Sequence, residues 1–278
     1  DQKMILLLIE AGISFIALVL VIIGAKDKPP TPPSASAALF ASPSQQQHQQ
    51  VNEDESHPKK GYGRTLCTMM KDKSFLVLTI AFTLGTGSFW GAISLLQSFM
   101  GPLGYTDTEI GFMGSVMVMT GAVGSIVVGL VVDRWRVWKS AVIVLLTGLL
   151  LSFLAMAIAL GSEINNVGEN SHRNIVWIGI TSGLIGFFGT SFIPVGLELG
   201  VETTFPIPEA MTTNWQLSMA QFSTIFLVIC ASVFEKNQKA LEGLKWGISA
   251  FPAVAILLLL ALHRAPYKRL NMELKSKS

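Results

Sequence analysis

Charge is scarce in this chain of 278 residues. Asp, Glu, Lys and Arg together make up 14%, against roughly 25% in a soluble globular domain. With 50% hydrophobic residues and a mean hydropathy of +0.53, so few ionised groups cannot cover a surface that faces water on all sides. The scarcity excludes an intrinsically disordered chain and a nucleic-acid-binding domain. The two cysteines, Cys67 and Cys230, exclude a framework of disulfide bridges. His48, His57, His172 and His263 are scattered over linker, loop and tail. They have no metal-ligand spacing, and neither cysteine has a placed base. No catalytic constellation emerges, so no enzyme activity, metal or cofactor is expected. The chain opens at Asp1 without the basic start and small-residue cleavage site of a signal peptide, and reads as a piece with an incomplete start.

Long apolar runs, by contrast, are plentiful. A membrane helix needs about 20 mostly apolar residues. Seven windows qualify, at Met4–Ala25, Ser74–Met100, Glu109–Val132, Lys139–Leu160, Ile175–Val201, Ile207–Phe234 and Gly243–His263. They are too long, and alternate too little, for barrel strands. Residues 26–73 are rich in Pro, Ser and Gln without an apolar period, which predicts a disordered linker. If the first span starts outside the cytosol, the cytosolic segments hold 15 Lys and Arg and the opposite side holds 5. That asymmetry follows the positive-inside rule and predicts a luminal or extracellular N-terminus and a cytosolic C-terminus. The same orientation and span count describe a G-protein-coupled receptor, and Asp133-Arg134-Trp135 ends the third span. The 48-residue segment after the first span, and the lack of Asn-Pro-x-x-Tyr in the last, argue against a receptor.

Small residues recur at spacings of three, four and seven in the second, third and fifth spans, including Gly87, Gly91, Gly121, Gly124, Gly186 and Gly189. Such faces let helices approach closely where lipid supplies no hydrophobic drive. Polar residues form stripes. Trp90, Ser94 and Gln97 share one face of the second span, and Asn214, Ser218 and Gln221 share one face of the sixth. An amide facing lipid is costly, so both stripes are expected to face the bundle interior or a wet cavity. Interhelical hydrogen bonding and solute binding remain open as their roles. Trp90 can hold a cation on its ring face. Glu198 and Glu202, four apart near the end of the fifth span, read as a gating pair or a proton carrier. Asp133 and Arg134 follow Gly129 at the end of the third span and can pair across the cytosolic mouth.

The run 129–139, GLVVDRWRVWK, resembles the G-x-x-x-D-R-x-x-x-K/R loop of the major facilitator superfamily, with Lys139 one residue beyond the pattern's final basic position. The run 194–210, PVGLELGVETTFPIPEA, resembles the pattern P-x-x-x-E-x-x-V-E-x-x-[YF]-P-x-x-E-G of the feline leukaemia virus subgroup C receptor family within it. The runs 87–90, GSFW, and 220–221, AQ, fall where that family has them. Val201-Glu202-Thr203, Pro206-x-Pro208-Glu209 and the tail run 267–274, YKRLNMEL, look most like its disrupted in renal carcinoma 2 branch. The resemblance implies an all-α membrane protein with twelve spans in two halves. Residues 1–25 would be the sixth span, 26–73 the central cytosolic linker, 74–263 the six-helix C-terminal half and 264–278 the cytosolic tail. Five further spans would form the N-terminal half, a missing partner of this chain.

The resemblance further implies alternating-access transport of a small organic solute through the lipid bilayer, with proton coupling (a symporter) and a lysosomal membrane in the renal-carcinoma branch, and the plasma membrane as the alternative. Vitamin B6 compounds such as pyridoxine are the substrates expected from that branch, and choline, ethanolamine or haem from the others. Trp90 and Gln221 match cavity residues of the choline-transporting members, where the aromatic is usually Tyr. Ala210 stands in place of the usual Gly, as does Asn214. A truncated, non-transporting interaction protein is the reading of another class. No nucleic-acid partner is expected.

Overall fold

The computed structural model describes residues 62–135, 137–165, 175–205, 207–234 and 250–257, with helical positions 12, 14–17, 19, 20 and 22. The chain divides into two compact units, Asp1–Lys60 and Gly61–Ser278. In the first unit the described positions are all helical, with Phe15, Ile16, Leu20 and Ile22 exposed. The remainder of the expected first span and residues 26–61 lie outside the described residues.

The second unit runs α1 (Tyr62–Lys71), α2 (Lys73–Met100), a 3-10 turn (Gly101–Leu103), α3 (Asp107–Trp135), α4 (Trp138–Asn165), α5 (Ile175–Thr204) and α6 (Glu209–Phe234). Residues 250–257 are also helical. No strand occurs among the described residues. Among the described residues five helices, α2 to α6, are long and apolar enough to cross a membrane. They match the second to sixth expected spans to within a few residues. Of the seventh, only 250–257 falls among the described residues. The fold is therefore an all-α membrane bundle.

Local chemistry sets the helix ends. Asp72 caps α2, accepting a hydrogen bond from the Ser74 N–H at 3.0 Å. The turn after α2 closes on Gly104, at φ 81°, a left-handed conformation that favours glycine. Thr106 and Glu109 form a capping box at the start of α3. The Thr106 N–H donates to Glu109 Oε2 at 2.7 Å, and the Glu109 N–H donates to Thr106 Oγ1 at 3.3 Å.

Two boundaries differ from expectation. Residues 62–71, inside the segment expected to be disordered linker, form α1. The helix is amphipathic: Met69 is buried and Thr65, Leu66 and Met70 are partly buried, while Cys67, Thr68 and Lys71 are exposed. Composition averaged over the whole linker conceals this short period. Asp133 and Arg134, expected in a loop, occupy the last turn of α3, which extends to Trp135. Arg134 there complements the negative end of the helix dipole.

Close contacts between small residues hold the bundle. A side chain at Gly186 of α5 would strike the backbone of Met117 in α3, with its Cβ 2.6 Å from Met117 Cα. Thr120 Oγ1 of α3 lies 2.8 Å from the Gly183 carbonyl oxygen of α5. On α2, the rings of Phe82 and Phe89 rest against Gly196 and Gly189 of α5, and Gly87 and Gly91 receive Ser223 and Leu227 of α6. The expected small-residue faces are thus only partly used, because Gly114, Gly129 and Gly179 have nothing within 4 Å.

Candidate functional site

On α2, Trp90 is half-buried and its ring packs against the apolar cores on both sides of it. Ser94 and Gln97, one and two turns further along the same face, are exposed. The Ser94 hydroxyl donates to the Trp90 carbonyl at 2.9 Å, so its oxygen remains available as an acceptor. Gln97 Nε2 donates to Asp107 Oδ1 at 2.9 Å, which ties the end of α2 to the start of α3 and sets a carboxylate beside the stripe. Ring, hydroxyl, amide and carboxylate thus follow one another along about 10 Å of helix.

On α6, Asn214, Ser218 and Gln221 are all exposed. The face of α6 turned to α2 carries Ala220, Ser223 and Leu227 instead. Helix geometry puts Gln221 at the flank of that contact, with Asn214 and Ser218 further round. No described contact joins the α6 stripe to Trp90, Ser94 or Gln97. The described residues supply two polar surfaces rather than an enclosed cavity.

Spacing places Glu198 and Glu202 on one face of α5, but their surroundings differ. Glu198 is exposed, whereas Glu202 is 3% exposed. Beyond Leu199 the helix enters a junction with α1 and α6. There the Thr204 and Thr212 hydroxyls lie 2.9 Å apart and Thr212 Oγ1 approaches Met69 Sδ at 3.8 Å. Asp133 and Arg134 are both exposed at the end of α3. No cluster of three or more metal-ligating side chains occurs among the described residues.

An apolar groove of about 630 Å³ runs between α3 and α5, lined by Phe112, Val116, Ile180, Leu184 and Phe187. It contains none of the candidate residues. Its Thr120 hydroxyl is already engaged with backbone carbonyls, so nothing there fixes the orientation of a polar solute.

A second set of polar groups lies outside the two expected stripes. Thr79, Thr83 and Thr86 lie on the same face of α2 as Trp90, and Gln216 of α6 is fully buried. The four-and-three spacing of the threonines was the available signal. Threonine is so common in helices of this composition that the spacing alone does not separate a path from packing.

The sequence profile described as Major Facilitator Superfamily matches residues 5–197. Choline/ethanolamine transporter FLVCR1 of Mus musculus is 28% identical over 264 residues, which cover 94% of this chain and 43% of that protein. Choline/ethanolamine transporter FLVCR2 of Homo sapiens is 30% identical over 224 residues, covering 79% of this chain and 38% of that protein. Solute carrier family 49 member A3 of Xenopus tropicalis is 29% identical over 201 residues, covering 72% and 36%. The chain spans less than half the length of these curated relatives. The profile match over most of its length, the apolar helical bundle and these relatives together show that the chain belongs to the major facilitator superfamily, in its feline leukaemia virus subgroup C receptor-related family.

Proposed function

We propose that this chain forms the C-terminal half, with one preceding span, of a carrier for small organic cations of the choline and ethanolamine class. The observation that carries the reading is the α2 stripe: a half-buried Trp90 ring followed by Ser94, Gln97 and the Asp107 carboxylate held by Gln97. A quaternary ammonium cannot donate hydrogen bonds through its charged group and is instead attracted to an aromatic face, by about 0.5–2 kcal/mol. The solute's hydroxyl or amine finds an acceptor in Ser94 or Gln221. The names of the relatives favour choline and ethanolamine over pyridoxine, which the resemblance to the renal-carcinoma branch had put first.

The opposite wall of the cavity belongs to the N-terminal half of the fold. The Lys and Arg asymmetry puts α1, Asp133 and Arg134, and the Glu198–Glu202 end of α5, on the cytosolic side. Asn214 and Ser218 continue the polar wall from Gln221 towards that side. We assign Glu198, Glu202, Asp133 and Arg134 to the cytosolic gate. Uptake that responds to an imposed pH gradient would give the acidic pair the further role of proton carrier. The lysosomal membrane, with the plasma membrane as the alternative, follows from the family resemblance and is read directly by the location of a tagged protein.

The test is uptake of radiolabelled choline by cells expressing the protein with both halves present, with ethanolamine, pyridoxine and haem in parallel. Saturable choline or ethanolamine uptake above that of untransfected cells is the expected result. Uptake of pyridoxine alone overturns the substrate assignment, and uptake of none of the four overturns the carrier reading for this solute class. A finer expectation concerns Asp107. Asp107→Asn keeps the size of the side chain and removes its charge, so KM for choline should rise severalfold at unchanged surface abundance. An unchanged KM removes Asp107 from the entry path.

A further inference from the structure

Three threonines of α2 behave unlike most hydroxyls in the bundle. Thr120, Thr147, Ser152, Ser191 and Thr224 each reach the carbonyl four residues earlier, at 2.6–3.1 Å. Such back-bonding is the ordinary way for a helix to satisfy a hydroxyl in an apolar setting. Thr79 and Thr86 are 4% and 0% exposed, and Oγ1 of Thr79, Thr83 and Thr86 is buried with no hydrogen-bond partner among the described residues. Gln216 of α6 is 0% exposed, and its Oε1 and Nε2 likewise have no partner there.

These groups lie within two neighbouring turns of α2 and the part of α6 that faces them. The Gln216 amide is pressed onto Gly200 of α5, close enough that a side chain at Gly200 would collide with it. Along the contact between α2 and α6, Gly87 meets Ala220 and Ser223, and Gly91 meets Leu227. Continuing that register back along both helices brings Gln216 level with the turn of α2 between Thr79 and Thr83. Along the contact between α2 and α5, Phe89 meets Gly189 and Phe82 meets Gly196, so Gly200 falls level with Thr79.

Thr79, Thr83, Thr86, Trp90 and Gln97 share one face of α2. From Thr79 to Gln97 the stripe is about 27 Å long, close to the roughly 30 Å of a hydrocarbon core. Burial falls away beyond Thr86: Thr79 and Thr86 are buried and Thr83 half-buried between them, Trp90 is half-buried, and Ser94 and Gln97 are exposed. A core built only for packing gains nothing from four polar groups whose desolvation goes uncompensated. The same groups are satisfied without strain if the level they occupy is wet in another arrangement of the same helices.

Resting on the carrier reading, we propose that Thr79, Thr83, Thr86 and Gln216 line the cytosolic leg of the solute path, sealed here where α5 meets α6 at Gly200 and Gln216, and hydrated when those two helices part. Water, and then the hydroxyl or amine of the passing solute, becomes the partner of the three hydroxyls and the amide. Trp90 marks the point where the sealed leg meets the open one.

The experiment is thiol labelling of Thr86→Cys in the protein with Cys67 and Cys230 replaced by Ser, in membrane vesicles with the cytosolic face outward. The probe is a methanethiosulfonate carrying a trimethylammonium group, which reacts only at wet positions and resembles the proposed solute. The control is Leu149→Cys, fully buried in the apolar core. Labelling of Thr86→Cys at least ten times faster than the control is the expected result. Labelling at the control's rate overturns the proposal. Gln216→Cys gives the same comparison if Thr86→Cys does not reach the membrane. Choline uptake is measured separately: labelling without choline transport counts against the substrate, and choline transport without labelling counts against this path.

Discussion

Gly186→Leu is expected to disrupt the bundle, cutting the monodisperse fraction in mild detergent several-fold and lowering the melting temperature of what survives. The reason is geometric. A Cβ at this position falls 2.6 Å from Met117 Cα, against backbone rather than the movable end of a side chain. α3 and α5 must separate to admit it, and the pair loses packing along its length. Overfilling a close-packed contact costs about 1–3 kcal/mol. Here the cost falls on the kind of contact that drives helix association in lipid. Gly186→Ala should produce a smaller loss of the same kind. Gly179→Ala, on the same helix with nothing within 4 Å, and Gly129→Leu on α3, should leave the melting temperature unchanged. The matched pair separates interhelical contact from helix propensity, since alanine raises propensity at both α5 positions. A Gly186→Ala protein as stable as the parent would show that the contact does not hold the two helices together.

Gln221→Ala is the second large effect, and it should fall on transport rather than folding. Gln221 is exposed at the flank of the α2–α6 contact, and no hydrogen bond to it is needed to hold the described bundle. Its removal should lower choline uptake about two- to tenfold at unchanged surface abundance, in line with the loss of one hydrogen bond to the neutral hydroxyl of the solute, about 0.5–1.5 kcal/mol. Trp90→Ala should reduce uptake comparably but also cost stability, because that ring packs against both apolar clusters. Trp90→Tyr, which restores the aromatic usual in the choline-transporting members, separates the two contributions: stability and uptake should both return towards the parent values. Transport unchanged in Gln221→Ala at normal abundance removes Gln221 from the site.

Much of the architecture is legible in the amino-acid order because the membrane imposes a simple condition. Every backbone polar group must be satisfied within its own segment, so a run of about 20 apolar residues has one structural solution. The boundaries of α2 to α6 follow from that; family membership rests instead on the resemblance carried by the Pro194–Ala210 run. The helix α1 was not legible, because ten residues of amphipathic period are lost in the polar composition of the segment around them. Nor was the unequal use of glycine. Gly179 and Gly186 have similar sequence surroundings, yet only Gly186 meets another backbone.

The polar stripes divide in the same way. Spacing alone puts Trp90, Ser94 and Gln97 on one face, and Glu198 and Glu202 on another, since a helix repeats every 3.6 residues. Which of these groups is sealed and which is open depends on where neighbouring helices converge. Glu202 is buried and Glu198 is not because α1 and α6 close on the last turn of α5. Thr86 is buried and Ser94 is not because the stripe emerges from between its neighbours near Trp90. Periodicity is a property of one helix and can be read from one strand of text; enclosure is a property of several helices at once, and exists only after they have packed.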